Sequence, residues 1–450
     1  MSQTSNIISP CSRLMNDDVL REIFIHCIIH GGNSYTDYYC KNISTCFAVA
    51  TYPSFLDSHK PSIRKYPQLS VSHVCSSWRD IALLTPQLWD NIRIADLTEA
   101  NLSTAREYLS RAKSLPVSIK ITSQTAELTG EDWSSQVTDF LSSYRIRTLD
   151  LMVIADMPRF HLVPVALDHL SQRSVAALES LRISRHSDRG EAQIDLNDTR
   201  YPKPAVVRIW GAYSSLRVFD GRMSSMTVIE TWDLLSCCPS LEEARLLITP
   251  VNGSWRPVSI PQIHLQRLRI LDLDSLSDSE LYPFSTFIDA LSLPVLEELR
   301  LDEKAVAWSA TAFRSFAHRS NHFPRLRQFY MADSTSIVDA GILLALMPWL
   351  KSIYLCPRAT TNKVIFDDLA LDGLANGSLT PQLQSLRVGY ISNTGSFLNM
   401  VGSRTKNAQV SSNGVPALFT KVMFSTFGYG YDNLLEYMQQ RGIPVERLNI

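Results

Sequence analysis

The chain has 450 residues, 45% of them hydrophobic and 19% charged, with a formal net charge of −1. This composition supports a large buried core, shows no basic stripe of the kind a nucleic-acid binder carries, and at this length predicts two or three compact domains or one extended repeat array. The first residues lack a basic stretch followed by an apolar one, and the longest clearly apolar run, at 341–350, is far short of the roughly 20 residues that span a bilayer, so a soluble intracellular protein, cytoplasmic and/or nuclear, is expected.

In chain order, the first helix is predicted just after Leu14. Asn16 or Asp17 offers a side-chain oxygen to the free N–H groups of a first turn. Val19, Leu20, Ile23, Phe24, Cys27 and Ile28 then recur at helical spacing and predict one apolar face. Residues 31–67 open on Gly-Gly, contain three prolines and show no sustained period, which predicts a long loop or insertion. Helical order returns at Leu69, with Val71, Val74, Cys75, Trp78, Ile81 and Ala82 following the i, i+3, i+4, i+7 rule. Thr85-Pro86 reads as an N-cap with proline at the first helical position. Leu88 and Trp89 lie on the short turn beyond it, and 91–94 alternates as a strand. Helices totalling about 45 ordered residues seldom bury enough surface to fold alone. The rest of the chain or a partner must therefore cover part of their apolar surface.

Leu14, Val19, Leu20, Ile23 and Phe24, followed after the insertion by Leu69, Val74, Cys75, Trp78, Arg79, Ala82, Leu88 and Trp89, form a pattern that resembles an F-box of the fungal F-box-like type. The resemblance implies an F-box-like helical domain over 12–92, interrupted at about 31–67. It implies that Leu14, Val19, Leu20, Ile23, Phe24, Leu69, Val74, Cys75, Trp78, Leu88 and Trp89 either face a Skp1-like adaptor or hold the helices together, without sorting the two groups. Through the adaptor the chain would join a cullin, as the substrate receptor of an SCF-type ubiquitin ligase. Trp89, beyond the Thr-Pro break, is expected to lock these helices onto the strand at 91–94.

From about residue 93 helix-period and strand-period segments alternate. The helical segments at 97–112 and 131–144 alternate with the strands at 115–121 and 145–153. A signature of the form P-x-L-x-x-L-x-L then appears at 175–184, 213–221, 238–248, 265–274, 293–302, 323–332, 347–356 and 380–389. Leu241, Leu268, Leu296, Leu326, Leu350 and Leu383 recur at intervals of 24 to 33 residues, the period range of leucine-rich repeats. Leucines at alternate strand positions would point inward and the residues between them outward. The expected fold class is thus α/β: a small helical domain followed over 93–450 by an irregular leucine-rich-repeat solenoid, horseshoe-like, of parallel strands plus helices. A generic α/β domain with leucine-rich strands is the alternative. The C-terminal 431–450 reads as one more helix and a closing strand.

Residues that carry chemistry elsewhere form no complete site here. His26 and His30 stand four apart beside Cys27, but zinc needs three or four ligands. Asp272, Asp274 and Asp278 lack the glycine and glutamate of a calcium loop and read as exposed strand-end carboxylates. Cys237-Cys238 reads as two helix-end thiols, and the eight scattered cysteines suit a reducing compartment. The 427–432 segment, glycine-aromatic, reads as a turn. No nucleotide-binding or nucleophile motif sits at a strand-to-helix turn. The sequence therefore predicts no catalytic, metal or cofactor site, an unidentified protein substrate, and neither nucleic acid nor membrane as partner. Two further readings stay open: a repeat scaffold with no ligase role, its N-terminal helices capping the first repeat, and an enzyme whose site is assembled from loops.

Overall fold

The structure is a computed structural model. It describes residues 17–31, 72–94, 97–123, 132–154, 170–186, 214–249, 262–275, 284–302, 309–331, 337–355, 364–389, 394–406, 416–425 and 445–448, and the isolated positions 391, 436, 439, 440 and 442. Leu14, Leu69, the expected insertion at 31–67, Asp278 and the glycine-aromatic turn lie outside the described residues, as do the side chains of His26, Cys27 and His30.

Two compact units make up the chain. The first comprises Met1–Met157, Leu170–Ala177 and Ile450, and the second Pro158–His169 and Leu178–Asn449. Residues 93–157, expected to begin the repeat region, thus group with the N-terminal helices.

The first unit contains helices α1 (Asp17–Gly31) and α2 (Ser76–Leu83), a tight 3-10 turn at Pro86–Leu88, β1 (Asn91–Ile94), α3 (Glu99–Ser110), β2 (Val117–Ser123), α4 (Asp132–Ser142), β3 (Ile146–Ile154) and the short α5 (Gln172–Val175). Strands β1, β2 and β3 pair in parallel in sequence order. Parallel neighbours need a crossover connection, and α3 and α4 supply it. Ile92, Ile119 and Leu149 align across the three strands and are all buried. On the other side of the same strands Arg93, Lys120 and Asp150 align, and Lys120 reaches Asp150 at 2.7 Å.

Among the described residues the expected helix is interrupted: Ser72 is helical, residues 73–75 are not, and α2 begins at Ser76. Cys75 is its N-cap, in extended conformation, and its Sγ accepts from the Trp78 N–H at 3.5 Å. An N-cap must leave helical geometry to satisfy the first free N–H groups, so Val74 and Cys75 precede the helix and do not lie on its face. The Thr85 side chain also departs from expectation. Its hydroxyl donates back to the Ile81 carbonyl at 2.7 Å and caps nothing ahead of it.

The second unit begins with β4 (Ser180–His186), β5 (Val218–Thr227), α6 (Val228–Cys237), β6 (Glu243–Thr249), β7 (Ile263–His264), β8 (Ile270–Ser275), α7 (Phe284–Asp289) and β9 (Leu291–Ser292). It continues with β10 (Glu298–Asp302), α8 (Ala310–Arg319), β11 (Gln328–Met331), β12 (Val338–Asp339), α9 (Ala340–Ala345), β13 (Ser352–Leu355) and β14 (Val364–Ile365). Helix α10 (Asp368–Asn376), β15 (Ser385–Val388), α11 (Thr394–Lys406), β16 (Lys421–Ser425) and β17 (Val445–Leu448) complete it. Strands β4, β5, β6, β8, β10, β11, β13, β15, β16 and β17 form one sheet in sequence order, every described pairing parallel. The pairs β7–β9 and β12–β14 stand apart from it.

All eight signature blocks form strands of this sheet. Its inner ladder runs Leu181, Phe219, Ala244, Leu271, Leu299, Phe329, Ile353, Leu386 and Val422, one residue per strand and all buried. Each full burial of such a side chain is worth about 1.5–3 kcal/mol. The leucine that opens each block (Leu216, Leu241, Leu268, Leu296, Leu326, Leu350, Leu383) is also fully buried, so neighbouring blocks share one core. Helix starts are capped by Thr227, Ser309, Asp339 and Asp367, each accepting an N–H of the first turn. Helix α10 ends on Gly377 at φ 78°, where a Cβ would also lie 2.7 Å from Pro416.

Near the C-terminal end, Arg404 of α11 is buried, with no carboxylate bonded to it among the described residues. Its guanidinium donates to the carbonyls of Leu374, Thr380, Pro381, Leu383 and Ala417 and lies 4.6 Å from the Phe419 ring. Removal from water lowers its pKa to about 10, still high enough to keep it charged. One cation thus ties the end of α10 to the start of the β15 block.

Candidate functional site

Two surfaces stand out, one on each unit. On the first unit, consecutive turns of α1 split their apolar residues. Leu20 and Phe24 are buried, while Val19 and Ile23 are 48% and 38% exposed. Spacing of four places Leu20 with Phe24 and Val19 with Ile23 along the helix. Phe24 meets Trp78 of α2 with ring centroids 4.9 Å apart. Ile81, Ala82, Leu88 and Trp89 are buried as well. Val74 is 59% exposed, and Leu83 and Leu84 at the end of α2 are exposed too. The candidate residues thus separate: Leu20, Phe24, Leu88 and Trp89 pack internally, Trp78 is half-buried against Phe24, and Val19, Ile23 and Val74 face outward. Cys75 is an exposed free thiol that caps α2. Leu83 and Leu84 were missed because the periodic pattern was read only as far as Ala82.

Trp89 is held by partners that its position before the strand did not indicate. Its indole Nε1 donates to the Ala82 carbonyl at 2.8 Å, its ring stacks on Tyr108 at 5.4 Å, and the Arg111 guanidinium lies 4.6 Å over it. A buried indole needs an acceptor for its N–H, and the end of α2 offers a free carbonyl. Trp89 therefore fastens α2 to α3.

On the second unit, the sheet side opposite the inner ladder carries two more ladders. The first follows the opening leucines: Glu179, Arg217, Glu242, Arg269, Glu297, Arg327, Lys351 and Gln384. Arg217 and Glu242 pair through two bonds of 2.8 Å, and Arg269 and Glu297 through bonds of 2.9 and 2.8 Å. Hydrogen bonds from Arg217 hold the Glu242 carboxyl below the usual range, and Arg269 does the same to Glu297. Arg327 has no such partner in these bonds and donates to the carbonyls of Pro324, Leu326 and Trp349. The second ladder lies three residues further along each strand: Arg182, Asp220, Arg245, Asp272, Arg300, Tyr330, Tyr354, Arg387 and Met423, in register. Tyr330 and Tyr354 stack at 4.2 Å, and Arg387 lies 4.2 Å over the Tyr354 ring. Asp272, expected as an exposed carboxylate, is buried at its register position between Arg245 and Arg300, where two cationic neighbours offset the cost of removing it from water. Aligning the signature blocks shows both ladders at fixed offsets from the opening leucine, a signal that the search for leucines alone passed over.

The described residues offer little for chemistry. No group of three His, Cys, Asp or Glu among them is placed to hold a metal ion. His264 Nδ1 and Ser292 Oγ are 2.8 Å apart, a pairing that superficially suits a nucleophile and its base. The Ser292 hydroxyl, however, donates to the Arg319 carbonyl at 3.0 Å. The imidazole must then donate to Ser292 and cannot withdraw its proton. Cys237 is exposed and Cys238 buried, with burial pushing the Cys238 thiol up to about 12 and away from the reactive thiolate. No described helix is long and apolar enough to cross a membrane.

A scan against models of known protein families finds no match to the chain. A search of curated proteins likewise finds none.

Proposed function

We propose that the chain is a substrate-receptor subunit of an SCF-type ubiquitin ligase. The N-terminal helices act as an F-box that docks a Skp1-like adaptor, and the strand-and-helix blocks act as irregular leucine-rich repeats that hold a substrate protein. The observation that carries this reading is the division of α1: Leu20 and Phe24 inward, Val19 and Ile23 outward, with Val74 exposed as well. Single exposed apolar residues are common on any protein. Two on one helix stripe, together with Val74, Leu83 and Leu84 nearby in a small helical module, suit the apolar centre of a protein interface. The receptor itself performs no chemistry. It raises the effective concentration of substrate at a ligase assembled from other subunits. The test is co-purification of a Skp1-like adaptor with Ile23→Asp/Val74→Asp. Loss of adaptor with an unchanged circular dichroism spectrum supports the proposal, and undiminished adaptor recovery overturns it.

The fastening of α2 to α3 through Trp89, bonded to Ala82 and stacked on Tyr108, favours a second reading, in which the N-terminal helices only cap the array and no ligase is formed. Under it the wild-type chain recovers no adaptor, and deleting residues 1–92 destabilises the remainder without removing any partner.

A further inference from the structure

Both outer ladders change character within two neighbouring strands, β11 and β13. From β4 to β10 charges alternate within the sheet, as Arg182, Asp220, Arg245, Asp272 and Arg300, and also at the strand starts, as Glu179, Arg217, Glu242, Arg269 and Glu297. Each cation there has an acidic neighbour on the next strand, and Arg217 and Arg269 are held by paired bonds. In the sheet the alternation stops at β11; at the strand starts it runs on to Arg327, beside Glu297, and stops at β13. The strand starts become Arg327, Lys351 and Gln384, and the sheet positions become Tyr330, Tyr354 and Arg387. The outward residues two positions earlier on β11, β13 and β15, Gln328, Ser352 and Ser385, carry no charge. Arg387 lies on an aromatic ring, and its Nε has no hydrogen-bond partner among the described residues.

Adjacent cations on neighbouring strands cost stability, and an alternating ladder would have avoided that cost, as it does across β4 to β10. We infer that the outer face of β11, β13 and β15 is the docking surface for a carboxylate-rich segment of a partner protein, with Tyr330 and Tyr354 as a rigid stacked platform and Arg327, Lys351 and Arg387 as the complementary charge. The inference deepens the proposed function and rests on its reading of the second unit as the part that holds a partner. Stacking on Tyr354 pre-orients Arg387, so less side-chain freedom is lost on binding. Charge complementarity of this kind steers encounter and makes affinity depend on salt.

The experiment uses the full chain and a fluorescein-labelled oligo-glutamate peptide, read by fluorescence anisotropy. The expected result is saturable binding that weakens with salt. Arg387→Ala and, separately, the exposed Lys351→Glu should each weaken it by about tenfold, while Arg217→Ala, in the paired part of the ladder, should leave it within about twofold. Lys351→Glu keeps the test valid if Arg387→Ala fails to fold. Absence of peptide binding, equal losses for Lys351→Glu and Arg217→Ala, or tighter binding of a labelled oligouridine of matched length would each overturn the inference. The same variants are scored for adaptor co-purification. A chain that ignores the peptide yet retains the adaptor refutes this inference alone, and one that binds the peptide without adaptor refutes the ligase role alone.

Discussion

The N-terminal helices and the ten-strand sheet use apolar residues in opposite ways. In the sheet unit every opening leucine from Leu216 to Leu383 is fully buried, because each block meets a neighbour of the same design. On α1, residues adjacent in sequence part company: Leu20 and Phe24 go inside, Val19 and Ile23 do not. The difference teaches that the opening leucines of like neighbours close one core together, whereas on the short α1 apolar side chains divide between core and surface. Equal hydrophobicity therefore carries opposite consequences in the two regions.

The sharpest way to break this comparison is to truncate neighbours on α1. Phe24→Ala removes a buried ring packed on Trp78 and is expected to cost about 3–5 kcal/mol, while Ile23→Ala, one residue before it, should cost under about 0.5 kcal/mol. Urea unfolding of the two variants measures both, and similar losses would erase the distinction. In the sheet unit the corresponding weak point is polar. Arg404→Met leaves carbonyls at the end of α10 and around the β15 block without their donor, and should lower stability by about 3 kcal/mol. A thermal unfolding midpoint equal to that of wild type would show that the six bonds contribute nothing.

Trp89→Phe tests the attachment of α2 to α3. It keeps most of the ring but strands the Ala82 carbonyl, for an expected loss of about 1–2 kcal/mol by urea unfolding. No loss would mean that stacking on Tyr108 alone holds the joint. The smallest effect belongs to the paired ladder. Glu242 and Glu297 are depressed in the folded state, so the ordinary value of 4.5 is approached only on unfolding. Their contribution is present above that value and is lost as pH falls through the lower folded values. Because both pairs face solvent, Glu242→Gln/Glu297→Gln should remove under about 1 kcal/mol near neutral pH. Urea midpoints at about pH 6 and about pH 3 should therefore differ less in the variant than in wild type, and an unchanged difference would remove the ladder from the acid response.

Much of the sheet was legible because its period is short and regular. All eight blocks picked out by leucine spacing became strands, and the alternation within a strand correctly placed Leu299 inside and Arg300 outside. The start of α2 was not legible. Apolar residues at helical spacing from Leu69 onward concealed a cap at Cys75, since cysteine is not among the usual capping residues and only its extended backbone marks the boundary. Asp272 was misjudged for a related reason. A carboxylate between leucines looks like a surface group until the neighbouring strands bring Arg245 and Arg300 beside it.

Sequence by itself determined the α/β class, the strands of the eight signature blocks and the leucines that fill the second unit, because those depend on local periodicity and on similar neighbours. Only the tertiary structure decided which candidate residues of the N-terminal helices face outward, where Trp89 anchors, and that charge alternation ends at β11 within the sheet and at β13 along the strand starts. Each of these depends on residues far apart in the chain meeting across strands or between helices. Such meetings are set by register and packing, which no single segment encodes.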